Sequence, residues 1–475
     1  MNAESSAMSP VSTAAVSTAD LWTADGIAAA TGGTASADFA ATGVTFDSRE
    51  VEPGHLFIAL KGAETDGHRF IDDVFRRGAA GAVVSTPTDH PHVLVDDTMA
   101  ALAALARAAR ARTGATVIGV TGSVGKTGTK EALFAALDRS APGRVHRSVK
   151  SYNNHTGVPL SLSRMPADSR YAVLEMGMNH AGELAGLTQL VRPHIAIVTA
   201  IAPAHTAFFS GEEAIADAKA EIFAGLQSGG TAIIPFDSPH YHRLDAAARN
   251  HAATVISFGL NHGADVRAVE TMRTETGGTF VTARLREREL SYTISQPGAH
   301  WVSNSLAVLA AVEAAGGDVA LAGLALADLG GLVGRGARFL ALVDGGTALV
   351  IDESYNANPS SMRATLAVLG AENATRKLAV LGEMRELGDG SAAYHAGLAE
   401  PLLAAGVERV ILVGEAMAAL ANALEGRVDF VHVPDAAAAR AAVKAMLAPG
   451  DAVLIKGSNG VGLAAVVAGL KGGQA

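Results

Sequence analysis

The chain contains no cysteine. Disulfides and thiol catalysis are therefore excluded, and any metal must be held by oxygen or imidazole ligands. Aromatic residues make up only 5% of the sequence, while alanine and glycine are abundant, which suits closely packed layers of helix and sheet. No apolar run is long enough for a membrane span: the richest stretch, 306–334, is broken by Glu313, Asp318 and Asp328. Basic residues are outnumbered, 37 Lys and Arg against 47 Asp and Glu. The formal net charge of −10 argues against a nucleic-acid surface and fits an enzyme of small molecules. Residues 1–20 show neither a basic nor an apolar leader segment and read as a loose tail. What remains is a soluble cytoplasmic protein with no membrane insertion. At 475 residues, 49% of them apolar, it has room for two to four domains.

The most informative segment is VIGVTGSVGKTGTK, residues 117–130. An apolar run (Val117, Ile118, Val120) reads as a strand, followed by a glycine loop with Lys126 and Thr127, and a helix-like stretch from Lys130. Glycines let the backbone approach an anion, a helix N-terminus points N–H groups at it, lysine neutralises charge, and a threonine hydroxyl can reach Mg²⁺. The standard P-loop glycine is missing, with Val120 in its place; Gly122, Gly125, Lys126 and Thr127 remain. The bland alternative is a glycine-rich turn.

Three α/β blocks follow from the alternation of strand-like and helical runs, with boundaries at 21–112, 113–332 and 333–475. The first has strand candidates at 56–60, 81–85 and 93–95 and ends in an alanine-rich helix over 98–112. In the second, runs at 117–120, 171–175, 195–200, 231–236 and 254–258 imply a parallel sheet, and runs at 266–272 and 280–285 around Gly277 and Gly278 read as a hairpin. In the third, runs at 348–352, 378–381, 410–413, 430–433 and 452–455 imply a second doubly wound sheet, dinucleotide-fold-like in outline.

Several polar residues stand at strand ends, where α/β sheets bind ligands. Glu175 and His205 follow two central strands, and Lys219 lies in a helical stretch. An acid and an imidazole beside a phosphate loop could ligate a second Mg²⁺, although imidazole is unusual for so hard an ion. Taken singly, a strand-end glutamate reads as a solvated or capping residue and a helical lysine as a surface residue. SYNNHTGVP (151–159) offers Asn153, Asn154 and Thr156, as a substrate loop or as a helix cap. His300 and Asn304, four apart, share a helix face that could receive an adenine or simply cap the helix. Asp352, Glu353, Tyr355, Asn356 and Asn358 crowd one strand end before Pro359, suggesting a ribose or peptide site. Arg335 lies in a Gly-Arg-Gly junction and reads as a hinge arginine for an ATP γ-phosphate or as an ordinary basic linker.

In this order the motifs resemble the Mur ligase family of peptidoglycan synthesis, from Val44 onward. TGSVGKT is similar to the family's ATP loop, TGSxGKT, so the missing glycine is normal there. SYNNHTGVP, LEMGMNHAGEL, DAKAEIF, ESYNANPSSM and LGEMRELGD resemble the member that adds D-alanyl-D-alanine. FDSREVEPGHLFIALKGAETDGHRF (46–70) resembles its UDP-sugar domain.

The resemblance implies three α/β domains: a small N-terminal UDP-substrate domain, a central P-loop-type parallel-sheet ATPase domain, and a C-terminal dinucleotide-fold-like domain. It implies an ATP-dependent amide ligase that adds D-Ala-D-Ala to UDP-MurNAc-tripeptide through an acyl phosphate, with two Mg²⁺ and a carbamylated Lys219. Glu175, His205 and Lys219 correspond to the ligands of the second metal, and Thr127 to a ligand of the first. Gly122, Ser123, Gly125 and Lys126 correspond to the phosphate loop, and His300 and Asn304 to the adenine side. Arg335 with Asp352 or Glu353 corresponds to the hinge and C-terminal ATP contacts. Asp47, Ser48 and Arg49 match the UDP side; Asn153, Asn154, Thr156, Asn356, Asn358 and Lys456 are the remaining substrate candidates. Lys126, Lys219, His205 and Arg335 are the catalytic set, and His180 is a candidate base.

Two departures stand out. Gly128 replaces a frequent second threonine, and an arginine common after Ser458 is absent. A monomer is expected. A sister ligase adding one amino acid, or a non-ligating nucleotide-switched binding protein, are the other readings.

Overall fold

Four sheets organise the chain, three of them large. The computed structural model describes residues 20–471 except 63, 64, 205, 276 and 287. The expected tail over 1–20, apart from Asp20, and His205 lie outside the described residues. The described residues divide into one compact unit of 20–114, 141–145 and 162–170 and a second holding the rest.

The first unit carries a five-stranded sheet of Thr34–Ala35 (β1), Gly43–Thr45 (β2), His55–Ile58 (β3), Gly81–Val84 (β4) and His92–Leu94 (β5), ordered β1-β5-β4-β3-β2. Its inner strands are parallel, and β1 alone runs antiparallel to β5. Parallel strands are buried on both faces, and Leu56, Phe57, Ile58, Val83 and Val84 are fully enclosed. Helix Thr98–Arg112 (α1) begins where Asp97 accepts hydrogen bonds from the N–H groups of Met99 and Ala100, satisfying two of the orphan donors of a helix start.

The second unit holds two sheets. The nine-stranded one comprises Thr116–Thr121 (β6), Val145–Arg147 (β7), Tyr171–Glu175 (β8), Ile195–Val198 (β9), Thr231–Pro235 (β10), Thr254–Gly259 (β11), Val266–Arg273 (β12), Thr279–Leu285 (β13) and Arg288–Ile294 (β14), in the order β14-β13-β12-β11-β10-β9-β6-β8-β7. β6 sits between β8 and β9, parallel to both, so the loops after these three strands converge beyond their carboxyl ends. The hairpin expected around Gly277 is a three-stranded antiparallel meander. β14 escapes a sequence reading because RELSYTI is mostly polar on its solvent side. Helices Lys126–Asp138 (α2), Gly157–Ser163 (α3), Glu212–Ala220 (α4) and Ala299–Ala314 (α5) follow.

The six-stranded sheet comprises Ala337–Val343 (β15), Gly346–Glu353 (β16), Lys377–Gly382 (β17), Arg409–Val413 (β18), Asp429–Val433 (β19) and Ala452–Lys456 (β20), ordered β15-β16-β20-β17-β18-β19. All neighbours are parallel except the β15–β16 pair. Helix Pro359–Gly370 (α6) starts with Asn358 as its cap and Ser361 answering in a capping box. Among the described residues no helix is long and apolar enough to cross a membrane.

Candidate nucleotide and ligation site

The phosphate loop begins where β6 ends. Val120 is fully buried inside that strand, so the glycine of a standard P-loop has no turn to make there. The turning is done by Gly122 and Gly125. Gly122 has φ +148°, and a Cβ there would fall 2.0 Å from Thr199 Oγ1. Gly125 has φ +85°, and its Cβ would lie 2.9 Å from Asn304 Oδ1. Both positions therefore require glycine. The left-handed Gly125 turns the chain straight into α2, which starts at Lys126 and not, as the sequence reading has it, near Lys130. Thr199 Oγ1 donates to Val124 O at 2.5 Å, and Ser123 Oγ accepts from the N–H of Ala202 at 3.1 Å, so β9's loop braces the cradle. Ser123 thus serves the loop's shape.

Lys126 Nζ donates to Gly122 O at 2.7 Å. Thr127 Oγ1 donates to Glu175 Oε2 at 2.9 Å, and Asn153 Nδ2 to Glu175 Oε1 at 2.7 Å. Glu175 is nearly fully buried at the end of β8. Three expected residues, Thr127, Asn153 and Glu175, are thus joined in one contact network. Lys219, on α4, is 1% exposed, and among the described residues its ammonium has no hydrogen-bond or ion-pair partner. Burial lowers its pKa well below the ordinary lysine value, and the charge of Lys126 lowers it further. Burial also lowers the pKa of Lys126; Glu175 opposes the shift and Arg335 adds to it.

A cleft of about 490 Å³ opens over the cradle and is lined from both sheets. One side brings Lys126, Glu175, Asn153, His300 and Asn304; the other brings Arg335, Glu353, Asn356, Asn358 and Lys456. Arg335 donates from Nη2 to Ser151 Oγ at 3.1 Å, and its guanidinium sits 4.3 Å from the centre of the Tyr355 ring. Lys456 Nζ bonds Asn356 O at 2.9 Å and Glu353 Oε2 at 3.3 Å. His300 has its pKa lowered to about 4 by burial, with Lys456 adding to the shift, so its ring is neutral at pH 7 and free to stack or hydrogen-bond.

Other expected residues stand elsewhere. Asp352 does not line the cleft. Its Oδ2 accepts from Gly334 N at 2.9 Å, and its Oδ1 from Ser354 Oγ at 2.7 Å, so it ties the segment at Gly334 to the end of β16, and Glu353 is the acid that faces the cavity. Asn154 Oδ1 accepts from Thr156 Oγ1 at 2.9 Å and Gly157 N at 2.9 Å, so this pair caps α3. Asp47 caps the turn Ser48–Glu50 and pairs with Arg49 at 2.6 Å in the first unit. His180 is largely exposed and paired with Glu183 Oε1 at 3.0 Å.

Three residues escaped the sequence reading. Ser151 touches Arg335 and Trp301 lines the cleft, while Tyr355, already singled out in the sequence, cradles the arginine. Lys130 is fully buried and donates to Ser148 O at 2.9 Å and Lys150 O at 2.7 Å, fastening the segment that carries Ser151. Its spacing of four from Lys126 along α2 was the available signal.

Trp301 also accounts for Gly128. A Cβ at Gly128 would meet the indole at 3.0 Å. Gly128→Thr is therefore expected to destabilise by about 1–3 kcal/mol through overpacking, read as a fall in Tm. Adding Trp301→Leu should recover most of it.

Comparison with known proteins gives the family. Residues 40–110 match the family model "Mur ligase family, catalytic domain", 120–312 the "Mur ligase middle domain", and 338–459 the "Mur ligase, glutamate ligase domain". An Escherichia coli (strain K12) protein named UDP-N-acetylmuramoyl-tripeptide–D-alanyl-D-alanine ligase is 34% identical over 439 residues, covering 92% of this chain and 95% of the relative. The crystal structure of MurF from Acinetobacter baumannii superposes with a TM-score of 0.81 at 31% identity, over 94% of this chain and 98% of that one. MurF ligase from Thermotoga maritima in complex with ADP gives 0.75 at 27% identity, over 90% and 97%. With three family models matched along its length and a relative 34% identical over 92% of it, the chain belongs to the Mur ligase family.

Proposed function

We propose that this chain is an ATP-dependent ligase that joins the amine of D-alanyl-D-alanine to the terminal carboxylate of a UDP-N-acetylmuramoyl-tripeptide. The observation that carries the reading is the single cleft that gathers Lys126 and Glu175 from one sheet and Arg335 and Lys456 from the other. The names and near-complete coverage of the relatives support it.

A carboxylate is a poor electrophile, because it is anionic and its oxygen leaves badly. Transfer of the ATP γ-phosphoryl group to it gives an acyl phosphate and ADP. The amine attacks the acyl carbon, and the tetrahedral adduct expels phosphate to leave the amide. Lys126 and Arg335 would offset charge on the transferring group. His300 and Asn304 would meet the adenine. Glu353, Asn356 and Asn358 would meet substrate from the other wall. The two-sided cleft would hold acyl phosphate and amine together and exclude water.

The residues present suit a divalent cation. Among the described residues no cluster of three His, Asp or Glu side chains forms a metal site, yet Glu175 and the Thr127 hydroxyl already meet. Lowering the pKa of a buried lysine favours its neutral amine. Its nitrogen can bond to CO₂ and release a proton, turning a cation into an anionic oxygen ligand. Thr127, Glu175, a carbamylated Lys219 and His205 would then hold two Mg²⁺. Magnesium, when bound, supplies charge stabilisation for phosphoryl transfer. A cytoplasmic monomer completes the reading.

The deciding assay is phosphate release from ATP with UDP-MurNAc-tripeptide. Release is expected to depend on D-Ala-D-Ala and not on single amino acids. Turnover without any amine would instead favour a nucleotide-switched binding protein.

A further inference from the structure

We propose that Arg385 binds the free C-terminal carboxylate of the amine-bearing dipeptide, an inference that rests on the ligase reading above. Arg385 lies on the loop that leaves the carboxyl end of β17. The neighbouring β20 ends at Lys456 and runs into residues 457–460. Leu381 pairs with Lys456, so the two loops leave the sheet side by side, at the edge where parallel sheets take ligands.

The loop is held before any ligand arrives. Glu383 N donates to Val413 O at 3.1 Å, and Arg385 N to Ser458 Oγ at 3.0 Å. Met384 N donates to His395 Nε2 at 2.9 Å, while His395 Nδ1 meets Ser391 O at 2.7 Å. That pair of contacts puts the imidazole proton on Nδ1 and keeps Nε2 as the acceptor. The backbone of Arg385 is therefore fixed by its neighbours.

Its guanidinium lies across Gly460. Nη2 donates to Gly460 O at 3.1 Å, and a Cβ on Gly460 would come within 2.0 Å of Nη1. A larger residue at 460 would have to push the guanidinium aside. Nε reaches Glu383 Oε1 at 3.3 Å, and half of the side chain, 52%, stays exposed. Among the described residues Nη1 has no partner, so part of the donor fork is unspent, and a carboxylate matches that fork. The arginine expected after Ser458 is replaced here by Asn459; Arg385 brings a guanidinium to the same loop from the strand beside it.

Spacing favours a dipeptide. Lys456 lines the reaction cleft, whose lining stops short of Arg385; the strands that lead to the two residues are neighbours, about 4.8 Å apart in a sheet. A dipeptide's carboxylate lies one residue beyond its amine-bearing residue, about 3.8 Å between Cα atoms. A single amino acid has its carboxylate on the same carbon as its amine.

The test compares D-Ala-D-Ala with its C-terminal amide as acceptors, for the wild type, Arg385→Ala, Arg385→Gln and Arg385→Ala/Asn459→Arg. The wild type should favour the free acid by about tenfold to a hundredfold. Arg385→Ala should raise the KM for the free acid by a similar factor, leave the KM for ATP unchanged and erase the preference; Arg385→Gln should do the same if the alanine variant folds poorly. The double variant should recover part of the preference. A wild type that ligates the dipeptide, with substituted variants that keep its KM and acid preference, overturns the role of Arg385 alone. A wild type that ligates no dipeptide overturns the function and this inference together.

Discussion

Lys219→Ala is expected to cut ligation by about a thousandfold or more, the scale of losing a charged group aimed at a transferring phosphoryl. A short carboxylic acid in the buffer should restore part of it, by occupying the space of the missing carbamate. The ground is local: the amine is buried, unpartnered among the described residues and pushed toward its neutral form by burial and by Lys126. Full activity in the unrescued variant sinks the carbamate role. The same burial makes a second, opposite expectation. Because the folded state disfavours the ammonium, the unfolded chain binds more protons between the lowered folded pKa and the ordinary lysine value. Stability contributed at this site therefore rises with pH across that window and is constant, at its lowest, below it. In CO₂-depleted buffer at neutral pH, Lys219→Met should melt above the wild type while remaining inactive, a function held at a cost in stability. Its advantage should shrink as pH rises through the window.

Lys126→Ala should abolish acyl-phosphate formation, again by about a thousandfold or more. The lysine stands at the first residue of α2, its ammonium tied to Gly122 O within the loop that would cradle the phosphates. ADP made at the wild-type rate from ATP and the tripeptide substrate would refute the assignment. A side effect separates this lysine's two influences. Because Lys126 depresses the pKa of Lys219, its removal should raise that pKa and leave less neutral amine at pH 7. Incorporation of ¹³C-labelled CO₂, read by NMR, should therefore fall in Lys126→Ala even without nucleotide.

Much of the architecture was legible because the relevant signals are local. Buried parallel strands such as Val117–Val120 and Ala452–Ile455 read as continuous apolar runs, and glycine, lysine and threonine in a row announce an anion cradle. Strand β14 was not legible, because an edge strand with a polar face carries little periodic signal. Asp352 and Glu353 are adjacent in sequence and alternate across the strand; burial of one against Gly334 and Ser354 decides which faces the cleft. Likewise Asn153 and Asn154 look equivalent, yet one meets Glu175 and the other caps α3.

The sequence by itself determined the kind of chemistry: a phosphate-binding loop, oxygen and nitrogen ligands in the absence of thiols, and polar clusters at strand ends. Only the tertiary structure decided the pairings. The contacts of Ser151 with Arg335, 184 positions apart, of Trp301 with Gly128, and of Arg385 with Gly460 depend on sheet order and on which side chain a glycine makes room for. Such contacts are set by packing between distant segments, and no local pattern of residues encodes them.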